Sequence, residues 1–206
     1  MGERKRGDPR QPPAWLPEQR LPLVQPRLEW YRCALTARPL IDWDNRSDSR
    51  FSGPTLPFRS LYLASDSVTG FWESFGDELL DREPGLRSVS AKARRERSIV
   101  KFTLPGSLRI LDVMSADTQR LIGADGSIFR SRYEITQPWA AALMRHPDQP
   151  DGLVYSSRLN ADAPCLALFD RPGIEARIGT KLVHSLEHDG AVRFEMIQTN
   201  IAVDFD

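Results

Sequence analysis

Histidine and cysteine are scarce in this chain of 206 residues, which carries three of the first and two of the second. Cys33 and Cys165 lie far apart and lack C-x-x-C spacing, so neither a disulfide framework nor a thiol-based zinc site is expected. Both fall in apolar, strand-like segments and read as small buried hydrophobes. His146, His184 and His188 show no H-x-x-x-H ligand spacing. No glycine-rich loop links a strand to a helix in the phosphate-cradling pattern, and no G-x-S-x-G elbow presents a nucleophilic serine. Together these gaps move metal-dependent, nucleoside-triphosphate and serine-hydrolase chemistry out of the front rank. Net charge is missing too: Lys+Arg and Asp+Glu balance at 28 each. With no overall field to attract nucleic acid or an anionic membrane, an anionic ligand must be held by individually placed residues. The basic run of Lys92, Arg94, Arg95 and Arg97 lacks interleaved aromatics and reads as a solvated loop. No apolar stretch approaches about 18 residues, and Met1 to Arg20 has no secretory core, so a cytoplasmic protein without a membrane span is expected.

What is present suffices for one well-buried core, with 40% hydrophobic residues. Residues 1–26, rich in Pro, Arg and Gln, read as an N-terminal extension, mobile to about Pro13. Its Trp15 is costly to leave in water and is expected to dock along the domain or meet a second subunit. The domain proper is expected over residues 27–206. Alternation predicts strands at Leu28 to Leu35, Ser98 to Leu104, Leu108 to Val113, Gly152 to Ser157 and Cys165 to Phe169, the last apolar throughout and central. Ser115 is expected to cap a short helix, and Thr136 to cap a helix over Gln137 to Arg145. The segment from Arg82 to Arg97 reads as a charged connection. Ile174 to Leu186 and Val192 to Val203 read as β-type segments joined by a turn at Asp189-Gly190. Strands outnumber helices without regular βαβ alternation, which predicts an α+β domain with mixed, largely antiparallel sheets and flanking helices.

The chain is organised around Ser49-Arg50-Phe51-Ser52-Gly53, the strand Ser60-Leu61-Tyr62-Leu63-Ala64, and a helix begun near Ser65-Asp66. Val68, Phe71, Trp72, Phe75 and Leu79 make that helix's apolar stripe. Glu73 stands beside the stripe, where a carboxylate needs a partner, and Arg50 is the candidate. From the residues alone, Arg32, Arg50, Tyr62, Glu73 and Ser157 also fit a buried ion pair with a tyrosine and a serine satisfied in a sheet.

The order of Arg50-Phe51, Leu61-Tyr62-Leu63-Ala64, Glu73 and Gly152-Leu153-Val154-Tyr155-Ser156-Ser157 resembles the RES domain family, bacterial toxins and related proteins named for an arginine, a glutamate and a serine. Arg32 in Trp30-Tyr31-Arg32 corresponds to the family's earlier arginine. The resemblance runs from about Leu28 to the C-terminus. It departs from a common variant in having Asp48-Ser49 where a double glycine precedes the arginine. Along the late strand Tyr155 and Ser157 share a face and Ser156 takes the other, in agreement with the family's serine.

The resemblance implies a fold similar to ADP-ribosyltransferases and a site that surrounds NAD as substrate, with no further cofactor and no metal. Cleavage of the nicotinamide-ribosyl bond builds an oxocarbenium-like ribose, which Glu73 would stabilise. Arg50 and Arg32 would hold the pyrophosphate or its ribose, Tyr62 would stack on nicotinamide, and Ser157 would bind the ligand or fix Glu73. The implied partner is a separate antitoxin, such as a small helix-turn-helix protein. The acceptor is open among water, inorganic phosphate and a protein side chain. The lack of histidine in the motif segments leans toward phosphate, which needs little activation. The rival reading is a non-enzymatic nucleotide-binding or interaction module.

Overall fold

Period-two apolar segments assemble into one broad sheet, and two separate faces of that sheet acquire different covers. The computed structural model describes residues 10–46, 49–160 and 163–204. Its strands are β1 (Leu23–Val24), β2 (Glu29–Leu35), β3 (Ser60–Ala64), β4 (Ser88–Ser90), β5 (Arg97–Thr103), β6 (Ile110–Asp112), β7 (Gly152–Ser156), β8 (Pro164–Phe169), β9 (Gly179–Ser185) and β10 (Ala202–Asp204). Its helices are α1 (Ser67–Leu80), α2 (Ala91–Arg95), α3 (Ala116–Ile122), α4 (Tyr133–Met144) and α5 (Gly190–Gln198). Among the described residues the main sheet has the order β1-β6-β7-β8-β3-β2-β5-β9, and β10 pairs with β4 apart from it. Within the main sheet only β6 and β7 run parallel. The fold is therefore the α+β arrangement with a mostly antiparallel sheet that the sequence predicts.

Alternation in β3 and β8 separates the two faces. Leu61, Leu63, Leu166 and Leu168 join Trp30, Phe102 and Ile110 on one side. Ala64, Cys165, Ala167 and Phe169 join Phe51, Tyr155 and Trp139 on the other. The apolar run of β8 is paired on both edges, by β7 and β3, and buried on both faces, by these two clusters. A third cluster forms where Phe71, Trp72, Phe75 and Leu79 of α1 meet Val192 and Met196 of α5. Asp66 caps α1 by accepting from the Thr69 amide at 2.7 Å. A Cβ on Gly70 would lie 3.3 Å from the Cys33 nitrogen, so the missing side chain lets α1 settle directly onto β2.

The sheet is not continuous in its middle. β2 pairs with β5 along its whole length, and β3 pairs likewise with β8, yet β2 and β3 meet in register only at Tyr31 opposite Ala64. Asp44 takes the place of β2 against Ser60, through reciprocal backbone bonds of 2.8 and 2.9 Å. The strands thus part on one side of Ala64, and a cleft opens between them.

Residues before β1 pack against the same core. Leu16 and Leu21 enter the cluster of Phe51 and Tyr155. Trp139 Nε1 donates to the Arg10 carbonyl at 2.9 Å, the Leu21 amide donates to Asp148 Oδ2 at 2.7 Å, and His146 Nε2 stands 3.1 Å from the Leu16 carbonyl. The half-buried Trp15 ring covers Gly123, whose φ of 76° suits the end of α3. Of the stretch expected to be mobile to about Pro13, Met1 to Pro9 lie outside the described residues, whereas Arg10 and Pro13 are held by their carbonyls, which accept from Trp139 and from the Leu16 amide.

Three local expectations are corrected. The segment after Asp189 is a helix, not the second arm of a hairpin: Asp189 accepts from the Val192 amide at 2.9 Å as an N-cap, and Val192 and Met196 share the buried face. Asp-Gly serves a cap as readily as a turn, and the four-residue apolar spacing decides between them. Helix α4 begins at Tyr133, so Thr136 lies inside it and Pro138 is an interior proline. The Thr136 hydroxyl is drawn to the carbonyls of Arg50 and Arg132 instead of capping. The Arg82 to Arg97 segment contains β4 and α2, because Ser90 caps a helical turn and Val89 enters the third cluster. In that segment Arg97 lies over the Phe75 ring at 4.4 Å and Arg94 donates to the Glu187 carbonyl at 3.1 Å, so only part of the basic run is solvated.

Gly152, opposite Leu168 in the register of β7 and β8, has no room for a side chain: an added Cβ would lie 2.3 Å from the Ala167 carbonyl oxygen. Gly152→Ala is expected to lower stability by about 1–3 kcal/mol through overpacking. Gly85→Ala, where nothing lies within 4 Å of the added methyl, is the control expected to leave the urea midpoint unchanged.

Candidate active site

The cleft between β2 and β3 has a volume of about 380 Å³, within the range of about 300–1,000 Å³ usual for ligand pockets. Arg32, Arg38, Arg46, Arg50, Arg97 and Arg158 line it and outnumber the carboxylates of Asp42, Asp44, Glu73 and Asp77. A chain without net charge therefore concentrates positive charge at one place, which suits an anionic ligand.

Glu73 projects from α1 into this cleft, partly exposed. Ser157 Oγ donates to Glu73 Oε1 at 2.6 Å, while Arg50 Nη2 stands 3.5 Å from Glu73 Oε2. Ser157 Oγ also accepts from the amides of Leu159 and Asn160 at 3.1 and 2.9 Å. With its proton given to Glu73 and both lone pairs used, this hydroxyl orients the carboxylate and has nothing left for a ligand. Of the two roles the resemblance implies for Ser157, the geometry matches the fixing of Glu73. The Asn160 side chain donates to Thr69 Oγ1 at 2.9 Å and so ties the loop after β7 to the start of α1.

Arg50 is 8% exposed and lies over the Tyr155 ring, with 4.4 Å from its guanidinium carbon to the ring centroid. Burial works against its charge, and Tyr155 and Glu73 more than offset that, holding its pKa above the ordinary value. Burial pushes the Tyr155 phenol well up, so at neutral pH the ring meets the cation as a neutral aromatic face. The Arg50 loop is held from several sides. Phe51 N donates to the Tyr62 hydroxyl at 2.9 Å, Ser60 Oγ donates to the Phe51 carbonyl at 3.0 Å, and Gln137 Nε2 bridges the carbonyls of Ser49 and Ser52 at 2.8 Å each.

Tyr62 and Arg32 line the cleft as well. The Tyr62 hydroxyl is committed to the loop, since it also stands 3.1 Å from Ser52 Oγ. Arg32 Nη1 donates to the Asp42 carbonyl at 2.8 Å, and Nη2 stands 3.7 Å from Asp42 Oδ2. Burial lowers the Arg32 pKa, and Asp42 and Asp44 act against that shift. Cys33 and Cys165 are buried free thiols whose pKa values burial pushes up, which leaves them protonated. The five sequence-predicted residues are thus brought to one cleft, with Ser157 reaching it through Glu73. Sequence reasoning named Tyr155 only as a strand neighbour and gave Thr136 a capping role; no sequence signal marked Gln137. Among the described residues, no group of three or more His, Cys, Asp or Glu side chains is arranged to hold a metal ion.

An α+β fold with a split sheet, and an arginine, a glutamate and a serine joined at the split, define a class of protein. The RES domain model matches residues 23–186, and the chain belongs to the RES domain family. The match begins at β1 and ends before α5. The probable toxin y4kH of Sinorhizobium fredii (strain NBRC 101917 / NGR234) is 32% identical over 77 residues, 37% of this chain and 60% of that protein. The chain thus spans about 60% of the length of this curated relative. The crystal structure of the M. tuberculosis MbcT-MbcA toxin-antitoxin complex is similar with a TM-score of 0.52 and 16% identity, over 79% of this chain and 87% of that chain. At that identity the likeness is one of fold.

The Tyr62 phenol is pushed by burial up to about 12, against 10 for a free one. Because the folded value is the higher, its contribution to stability is intact below pH 10 and lost as pH rises through about 12. Difference absorbance near 295 nm between wild type and Tyr62→Phe should therefore show one tyrosine ionising at about 12; ionisation at 10 would place its ring in water.

Proposed function

We propose that this chain is a toxin-type enzyme that consumes NAD by cleaving the nicotinamide-ribosyl bond and is held inactive by a separate antitoxin protein. The observation that carries the reading is Glu73, fixed by Ser157 at 2.6 Å and facing Arg50 across 3.5 Å, at the wall of an arginine-lined cleft. Membership of the RES domain family supports it, as do the toxin relative and the toxin-antitoxin neighbour.

In this reading the bond from the ribose carbon to the nicotinamide nitrogen breaks with its electron pair going to nicotinamide, which leaves neutral. Positive charge grows on the ribose, and the Glu73 carboxylate stabilises it. Arg50 faces Glu73 across 3.5 Å and offers its remaining donors to the ribose or pyrophosphate, which Arg32 also approaches. Tyr62 and Tyr155 supply apolar ring surface at the cleft. Both phenols stay protonated near neutral pH, no histidine lines the cleft, and its carboxylates are engaged, Glu73 with Ser157 and Arg50, Asp42 with Arg32 and Arg38, Asp44 with Arg46 and Asp77 with Arg158, which favours a nucleophile that needs no base. Inorganic phosphate, already anionic, then attacks the ribose carbon and gives ADP-ribose 1″-phosphate.

Glu73→Gln preserves shape and removes the charge. Nicotinamide release should fall by about 10²–10³, the usual effect of losing one such electrostatic contact. A folded Glu73→Gln protein that releases nicotinamide at the wild-type rate would remove Glu73 from the chemistry. Arg50→Lys should weaken NAD binding on the Glu73→Gln background, because an ammonium cannot reproduce the planar fork; calorimetry reads this directly, and equal affinity excludes Arg50 from the ligand.

The acceptor is decided by comparing phosphate with a phosphate-free buffer of equal pH and ionic strength. Faster nicotinamide release with ADP-ribose 1″-phosphate as product is expected. Free ADP-ribose at equal rates identifies water. NAD left intact in both buffers overturns cleavage with water or phosphate as acceptor, in favour of a binding module or of transfer to a protein side chain.

A further inference from the structure

We propose that Thr136 and Gln137 of α4 are positioning residues that set the direction of Arg50 toward the cleft; this rests on the proposed NAD-cleaving site. The segment from Ser49 to Gly53 belongs to no strand or helix. Side chains of β3 hold it at Phe51, and the carbonyls of Ser49, Arg50 and Ser52 turn toward α4. The Thr136 hydroxyl donates to the Arg50 carbonyl, and Gln137 Nε2 donates to the carbonyls of Ser49 and Ser52 at 2.8 Å each. A side-chain amide nitrogen has two hydrogens, so this nitrogen is saturated by the loop. An added Cβ on Gly53 would lie 2.9 Å from the same nitrogen, so the next residue must be small for the clasp to close.

The tip of Arg50 is held much less firmly than its backbone. Its contacts to Glu73 Oε2 and to the Phe129 carbonyl are both 3.5 Å long, and its face rests on the Tyr155 ring. Donor capacity therefore remains for an anion, while the direction of the side chain is inherited from a backbone gripped at residues 49, 50 and 52. Preorganisation of this kind avoids ordering the loop at the moment of binding. Helix α4 can serve as the fixed side of the clasp because Trp139 and Leu143 are fully buried beneath it.

The test compares Thr136→Val, Thr136→Ser and Gln137→Ala. Thr136→Val keeps shape and leaves the buried Arg50 carbonyl without its donor, Thr136→Ser restores the donor, and Gln137 is half-buried, so its truncation should fold. For Thr136→Val and Gln137→Ala the KM for NAD should rise about 10-fold with kcat changed less than about 2-fold, the pattern of lost ligand positioning. Thr136→Ser should return KM to the wild-type value. A merely structural role would lower the active fraction, and hence kcat, without moving KM. Amide hydrogen exchange gives a readout independent of NAD. Exchange at Phe51, Ser52 and Gly53 should accelerate about 10-fold or more in Thr136→Val and Gln137→Ala, while β7 and β8 stay protected. Unchanged exchange at 51–53 in both variants overturns the clasp. Wild-type protein that leaves NAD intact overturns the function above, and the exchange comparison still decides the clasp.

Discussion

The hydrogen bond from Ser157 Oγ to Glu73 joins a loop after one strand to a helix that follows another. Around it the cleft takes its form. A carboxylate beside the apolar stripe of α1 needs compensation, and here it receives a hydroxyl on one oxygen and a guanidinium near the other. The hydroxyl is itself fixed by two backbone amides, so the position of Glu73 is set by main chain on both sides. Such an arrangement resists drift in a partly solvated site better than a lone ion pair, which salt and side-chain entropy would loosen.

The parting of β2 from β3 provides the room. Two antiparallel strands that continued in register past Tyr31 and Ala64 would close the sheet and leave no cleft. Asp44 instead bridges to Ser60, and α1 settles onto β2 through Gly70. Backbone pairing is given up locally, and the arginines of β2 and the neighbouring loops line the gap. The residues that fold the sheet and those that line the cleft therefore lie on the same short segments, with side chains alternating between the two tasks.

Much of this was legible because it is local. A cap for α1 at Ser65 or Asp66, of which the fold uses Asp66, the stripe of Phe71, Phe75 and Leu79, and the unbroken apolar run of β8 follow from periodicity and hydrogen-bonding chemistry within a few residues. Elements failed where two local signals competed. Asp189-Gly190 is both a turn pair and a cap followed by a helical glycine, and the buried face of Val192 and Met196 decided for the helix. Thr136 is a good cap in isolation, yet α4 starts earlier and its hydroxyl answers to the Arg50 carbonyl from a distant part of the chain.

The sequence by itself determined the α+β class and the core strands, because period and capping are properties of neighbouring residues, and its resemblance to the RES domain family pointed to Arg50, Glu73 and Ser157. Only the tertiary structure decided that Ser157 spends its hydroxyl on Glu73, that Arg50 lies on Tyr155, that Gln137 holds the arginine loop and that Leu16 enters the core. Those pairings link residues separated by tens of positions. A hydroxyl, a guanidinium or an amide has many partners of equal chemistry along the chain, and only the packing of α1, α4 and the split sheet brings one of them within reach.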